Sequence, residues 1–420
     1  MKKVLCLLLF IILLCGCGEE KINNPYYETL LKTEKESFID LVEYTRYGKH
    51  LNLKFTTTIN EPKLVLKDET HEYVYPLYKE DNYYVTNEYI NSGINLDTIP
   101  VGKYVVLLRE TTKNDKGEDI NKYYHFQNKT KFSNIEYYTL TKKDKEGKNY
   151  NNKVDFIFDE FMEYKFLRID VQRSSLPDDV YDIVLDPGHG GEDPGAVNGK
   201  YHESDFNLKY ALLLKEKLEN DGIKVKLTRD SDISPKTYGY NSRVGTPYET
   251  KAKLMLSIHQ NSGDKYAHGV EIYIAYGDNP YMGKALADNI ASRTTYAYSA
   301  NKINRINSGV YLRIFTPSDI ESSAKKAKRE GWTYYTQQPN TTYYYFIRET
   351  GGFITKAFVD GRNPQYEANP YYQENYGTES YLVEMGFISN KNNLQALQDE
   401  QDKYLEGLYE SVKYYINSDY

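Results

Sequence analysis

The chain has 420 residues, a formal net charge of −7, 40% hydrophobic and 27% charged residues. That length and balance exclude a wholly disordered chain and allow two or three ordinary domains. Acids and bases are mixed along the sequence with no basic stripe, so nucleic acid is not an expected partner.

The first stretch, "MKKVLCLLLFIILLCGCGEE", opens with Lys2 and Lys3 and continues as an apolar core from Val4 to Leu14, short for a membrane span. All three cysteines, Cys6, Cys15 and Cys17, fall in it, so no disulfide is expected in the folded part. The run Leu14-Cys15-Gly16-Cys17 resembles the lipobox of bacterial lipoproteins. That resemblance implies a signal segment over residues 1–17 and a lipid on Cys17. It also implies a place on the outer face of the cell membrane, facing the wall.

Leu30, Leu31, Phe38, Leu41 and Val42 recur at helical spacing before Gly48 and predict a helix over 24–48. From 49 to 173 the pattern shifts to short alternating runs, such as "LNLKFTTTI", "KLVL" and "GKYVVLLRET", parted by Asn, Asp, Gly and Lys. These predict a smaller β-rich, sandwich-like domain. Its histidines, His50, His71 and His125, lack metal-binding spacing, and its role is open.

Residues 174–180, "SSLPDDV", read as a linker. Beyond it, over 181–420, strands and helices alternate. "IVL", "IKVKL", "LMLSI", "VEIYI" and "YLV" read as strands, with helices over Ser204–Leu218, through Met282, Leu286 and Ile290, and at the carboxyl end. This is an α/β pattern with a mostly parallel sheet and flanking helices. Residues around 310–380 form an irregular insertion holding Trp332 and many tyrosines.

Three of these strands end at a side chain with chemistry. "IVLDPGH" ends at His189, "LMLSIH" at His259 and "YLVE" at Glu384, while Glu203 stands before the helix after the first strand. In open α/β sheets the functional cleft lies at the carboxyl ends of strands, so all four are expected at one edge. Each alone also suits an ordinary loop, cap or ion-pair role. Two histidines with one carboxylate form the ligand set of a catalytic zinc that keeps a position for water. The glycines after Pro187 let the backbone turn and keep side chains off the metal. Asp186 is a candidate to accept the second N–H of a metal-bound histidine.

The blocks "IVLDPGHGGEDPGAV", "ESDFNL", "LMLSIHQNSG" and "YLVEMGFISN" resemble, in order, those of zinc-dependent N-acetylmuramoyl-L-alanine amidases. The resemblance implies zinc held by His189, Glu203 and His259, with Glu384 as the catalytic glutamate. It implies hydrolysis of the amide between N-acetylmuramic acid and L-alanine in peptidoglycan. Asp186, Asn261 and Arg243 become candidates for supporting the ligands or meeting substrate. Arg243 matches the family's block before "SIH", whereas Tyr248 and Lys253 replace its usual asparagine and aspartate. Alternatives are a catalytically silent wall-binding lipoprotein and another zinc amidohydrolase. The insertion would build the substrate groove, with Arg348 or Arg362 meeting stem carboxylates, or occlude the site until a regulatory protein partner removes it, or have no effect.

Overall fold

The computed structural model describes residues 24–34, 39–127, 133–331, 339–351 and 376–419. The leader with Cys17, and also Trp332 and Arg362, lie outside them.

The amino-terminal helix expected over 24–48 is replaced by a strand. Among the described residues there, Tyr27–Leu30 is helical, and Ile39–Tyr47 (β1) pairs antiparallel with His50–Thr57 (β2). Ile39 and Leu41 point inward while Asp40 and Val42 point out, a strand alternation that the helical spacing had masked. Val42, Tyr44, Thr45 and Tyr47 are β-branched or aromatic, and pairing along β2 outweighs a weak helical period. Gly48, expected as a helix stop, turns this hairpin at φ 57°, a conformation glycine adopts without strain.

Strands up to Ser174 complete two sheets, mostly of antiparallel pairs, whose inward side chains share one core. Leu53 and Phe55 from one sheet meet Val106, Leu108, Phe156 and Ile169 from the other. A parallel partner joins the first sheet from far along the chain, the two-residue strand Tyr376–Gly377, on Arg46 and Tyr47 of β1.

The second half is built on a sheet of seven strands among the described residues. Ile183–Pro187 (β3), Val225–Leu227 (β4), Leu254–Asn261 (β5), Glu271–Tyr273 (β6), Val310–Tyr311 (β7) and Glu379–Phe387 (β8) are joined by an edge strand at Arg305–Asn307. The order is β4-β3-β5-β8-β6-β7, then the edge strand. β3 pairs parallel with β4 and β5, and β5 with β8, but β6 runs antiparallel to β8. β6 pairs parallel with β7, and the edge strand runs antiparallel to β7, so the sheet is mixed with four of its six pairings parallel. The connection 262–270 between β5 and β6 contains no crossover helix, and without one the chain reverses direction.

Successive side chains leave opposite faces of this sheet. Ile183, Leu185, Leu256, Ile258 and Val383 pack on the helices Glu203–Asn220 (α1), Tyr281–Ala291 (α2) and Gln401–Asn417 (α3). Val184, Met255 and Leu382 face the other way, against Tyr238, Tyr248, Phe346 and Ile347. Burying both faces of the sheet is what holds its strand ends in place.

In the segment 174–180, expected to be a linker, Ser175, Asp178 and Asp179 are exposed. Ser174 ends a strand, and Val180 is buried. The two halves share a polar seam: Thr141 donates through N and Oγ1 to the buried Asp182 at 2.9 and 2.8 Å. Lys49 Nζ donates to the carbonyls of Tyr415 and Ser418 at 2.8 Å and to Ser418 Oγ at 2.9 Å. Leu140 of the first half sits in the core beneath α3.

Candidate active site

β3 ends at Pro187, and the next two residues deliver His189 with φ 59°. Gly188 is required there by close approach, since a Cβ on it would lie 2.2 Å from the His259 ring. His259 lies in β5 directly opposite Glu384 in β8, both on the face of Met255 and Leu382. Glu203 is the first residue of α1 and is buried.

Ligand atoms of His189, Glu203 and His259 lie within 4.8 Å of one another. His189 Nε2 stands 3.3 Å and His259 Nδ1 2.9 Å from the same oxygen, Glu203 Oε1. That carboxylate is aimed by the backbone, because Gln260 N donates to Oε1 at 3.1 Å and Ala196 N to Oε2 at 2.8 Å. Burial works to raise the pKa of Glu203, but the hydrogen bonds and charges of His189 and His259 hold it well below the carboxylate range. For His189, burial works to lower the pKa, and hydrogen bonds with Glu203 and Asp193 turn the shift upward. Two ring nitrogens and a carboxylate oxygen converging this way are a donor set suited to a divalent metal.

Burial pushes the pKa of Glu384 well above the carboxylate range, and the charges of Glu203 and Glu271 push in the same direction. Its Oε2 is buried and has no hydrogen-bond partner. A cleft of about 400 Å³ opens over this group, lined by His189, His259, Glu384, Asp193 and Arg243 and by Tyr344, Tyr345 and Phe346 of the insertion.

The supporting candidates are placed differently from expectation. Asp186 accepts from Ser257 Oγ at 2.6 Å, from Thr228 Oγ1 at 2.5 Å and from Arg243, not from either histidine. It lies in β3 and shares its face with Ser257 rather than reaching the loop. Asp193 takes the expected place, with Oδ2 2.8 Å from His189 Nδ1. It stands in the same "GHGGEDPG" stretch, but two aspartates flank His189 and only the folded loop distinguishes them. Arg243 donates to the carbonyls of Pro187 and His189, so it pins the histidine loop. Asn261 turns away from the cluster and donates to Glu271 Oε2 at 2.9 Å. Glu271, opposite Glu384 across β6 and β8, was not singled out from sequence.

The departures have structural roles. Tyr248 donates to the Glu349 carbonyl at 2.8 Å, and Lys253 is buried beside Asp182 and over the Tyr137 ring. Arg348, a candidate for stem carboxylates, is buried and donates to the carbonyls of Thr342 and Tyr343, both at 2.9 Å.

Against known proteins, a family profile described as N-acetylmuramoyl-L-alanine amidase matches residues 183–414. The chain is similar to the germination-specific N-acetylmuramoyl-L-alanine amidase of Bacillus subtilis, 35% identical over 152 residues, 33% of this chain and 63% of that protein. It is 42% identical over 113 residues to the probable cell wall amidase LytH of Staphylococcus aureus, 26% of this chain and 34% of that protein. The chain thus spans less than two thirds of the length of these relatives. Among solved structures, the catalytic domain of CwlV from Bacillus (Paenibacillus) polymyxa var. colistinus is 21% identical, covering 57% of this chain and 99% of that one with a TM-score of 0.38.

Proposed function

The chain belongs to the N-acetylmuramoyl-L-alanine amidase family, and from that premise we propose that it hydrolyses the amide between N-acetylmuramic acid and the L-alanine of the peptidoglycan stem peptide, with a zinc-activated water. The observation that carries this reading is the convergence of His189, Glu203 and His259 beside the buried carboxylate of Glu384.

His189, Glu203 and His259 are the residues to hold the zinc, whose two-imidazole, one-carboxylate donor set leaves room for water and substrate. Bound there, zinc supplies Lewis acidity to the water and to the scissile carbonyl. Glu384 takes the proton of the attacking water and returns one to the departing alanine nitrogen, a leaving group too basic to depart unprotonated. Asp193 accepts from His189 Nδ1, which fixes the ring and leaves Nε2 facing Glu203. Arg243 holds the backbone on which that ring stands. Tyr344, Tyr345 and Phe346 wall the cleft, which supports a groove-building role for the insertion.

Incubation of purified sacculi with the protein tests the reading. New N-terminal alanine is expected, abolished by chelator and restored by zinc. New reducing sugar ends without free alanine would instead identify a glycosidase.

We also propose that Cys17 carries a lipid and holds the enzyme on the outer face of the cell membrane. The support is the lipobox-like run Leu14-Cys15-Gly16-Cys17. Cys17→Ser should shift the protein from the membrane to the soluble extracellular fraction. Unlipidated wild-type protein found there would sink the proposal.

A further inference from the structure

Two further cavities flank the cleft, and their charges differ. On one side a groove of about 490 Å³ runs between the helix Pro317–Glu330 and the tyrosines 343–345, sharing Thr237, Tyr344 and Tyr345 with the cleft. Its charged lining is Lys326 and Asp319, of opposite sign, and the buried Arg348, which is paired with Glu349 at 3.2 Å, so the groove carries no excess of negative charge. On the other side, a cavity of about 540 Å³ lies at the ends of β5 and β6, lined by Asn261, Asp264, Tyr266, His268, Glu271 and Phe387 among others. It holds two carboxylates and neither lysine nor arginine.

Glu271 makes this second cavity more than an acidic surface. The residue is 1% exposed, and its Oε2 accepts from Asn261 Nδ2 at 2.9 Å and from the Tyr273 hydroxyl at 2.8 Å. Its Oε1 has no hydrogen-bond partner, a costly state for a buried carboxylate oxygen. The side chain is held on two sides with one acceptor left over, directly opposite Glu384 in the strand pairing. At the cavity's rim, Tyr266 is 72% exposed and offers an aromatic face.

We propose that this cavity is the subsite for the glycan strand, whose hydroxyls and N-acetyl N–H groups donate to Glu271 and Asp264 while a sugar face packs on Tyr266. The stem peptide leaves the cleft away from these carboxylates. The assignment rests on the amidase reading and fixes the direction of the substrate across the strand ends. Charge decides it. The stem carries free carboxylates, which Glu271 and Asp264 repel, whereas an uncharged sugar rich in donors suits the unpartnered oxygen of Glu271.

The test uses two probes on the whole protein: an N-acetylglucosamine oligosaccharide, which carries no carboxylate, and a free stem peptide, with binding followed by calorimetry. Tyr266→Ala, a surface change, should weaken the oligosaccharide by about 3- to 10-fold, the worth of one ring contact, and leave the stem peptide unaffected. Glu271→Gln should weaken the same probe. If the oligosaccharide is indifferent to both Tyr266→Ala and Glu271→Gln, or if the stem peptide responds to them instead, the proposal is overturned. Binding is read without turnover, so oligosaccharide binding with the expected sensitivity, in a protein that releases no alanine from sacculi, would retain the subsite and reject the amidase reading.

Discussion

Lys49 at the seam and Glu384 in the cleft are both buried charged side chains, and their surroundings differ in one respect. Lys49 spends all three of its donors on the Tyr415 and Ser418 acceptors, and lies over the Tyr415 ring. Burial lowers its pKa to about 8, and the charges of Asp97 and Glu379 oppose that shift. Asp182, nearby, is similarly filled by Thr141 and Lys224. Glu384 has an oxygen with no partner, and His189, Glu203 and His259 crowd a single carboxylate oxygen between two rings. The polar groups of Lys49 and Asp182 that join the halves are saturated, while in the cleft an unpartnered oxygen of Glu384 lies beside the His189, Glu203 and His259 cluster.

The largest expected effect lies in the cleft. Glu384→Gln should lower amide hydrolysis by about 10²- to 10⁴-fold while zinc content, read by atomic emission, stays near one per chain. His189→Ala should lose metal and activity together. A Glu384→Gln protein that lost its zinc would make Glu384 a ligand and erase the distinction drawn between it and Glu203.

At the seam, Lys49→Ala strands the Tyr415 and Ser418 acceptors and should cost about 2–4 kcal/mol in urea unfolding. Its turnover per folded molecule should hold. An unfolding midpoint unchanged from wild type would mean that the seam does not bind the halves together.

Asp193→Asn sharpens the picture of the cleft, since the amide accepts less strongly from His189 Nδ1. Zinc affinity should fall by about 10- to 100-fold, with folding intact, as read by chelator competition. An unaltered affinity would return the supporting role to another group.

The smallest effect concerns Asp278, which lies at the seam 3.5 Å from the Tyr47 hydroxyl. Burial raises its pKa well above the ordinary value of 3.8, and the charge of Glu379 raises it further. The folded chain therefore holds a proton that the unfolded chain releases. Stability linked to it is full below the ordinary value and is lost as pH rises through the folded one. Asp278→Asn should be more stable than wild type at pH 8 by a few degrees in melting temperature and similar to it near pH 4. Equal gains at both pH values would exclude the carboxyl proton as the cause.

The cleft was more legible than the seam because its residues sit in short blocks at strand ends. His189, Glu203, His259 and Glu384 meet through parallel neighbours, and alternation of apolar runs is enough to expect those strands. Asp193 and Glu271 were missed because their roles depend on a loop's path and on the pairing of β6 with β8, neither encoded by local pattern. Asp186 looked equivalent to Asp193 by distance along the chain, yet its place in β3 turns it toward Ser257 and Arg243. The strand at Ile39–Tyr47 was read as a helix because five apolar residues fit a 3.6 period by accident, and its partner β2 decided otherwise. Lys49 and Lys253 carried no sign of burial, since lysine in sequence reads as surface until the fold supplies acceptors.

The parallel pairing of Arg46 and Tyr47 with Tyr376 and Gly377 has a consequence for how the molecule assembles. Gly377 is two residues before β8, so the strand that bears Glu384 enters its sheet from a backbone held by the first strand of the protein. During synthesis β1 emerges early and that edge stays unpaired until nearly the whole chain has followed. Such a long-range contact closes late and slows folding, and the waiting edge is an invitation to pair with another chain. Pulse-labelled hydrogen exchange should find Gly377 and Gly48, whose amide donates to the Gly377 carbonyl, protected after the core of either half.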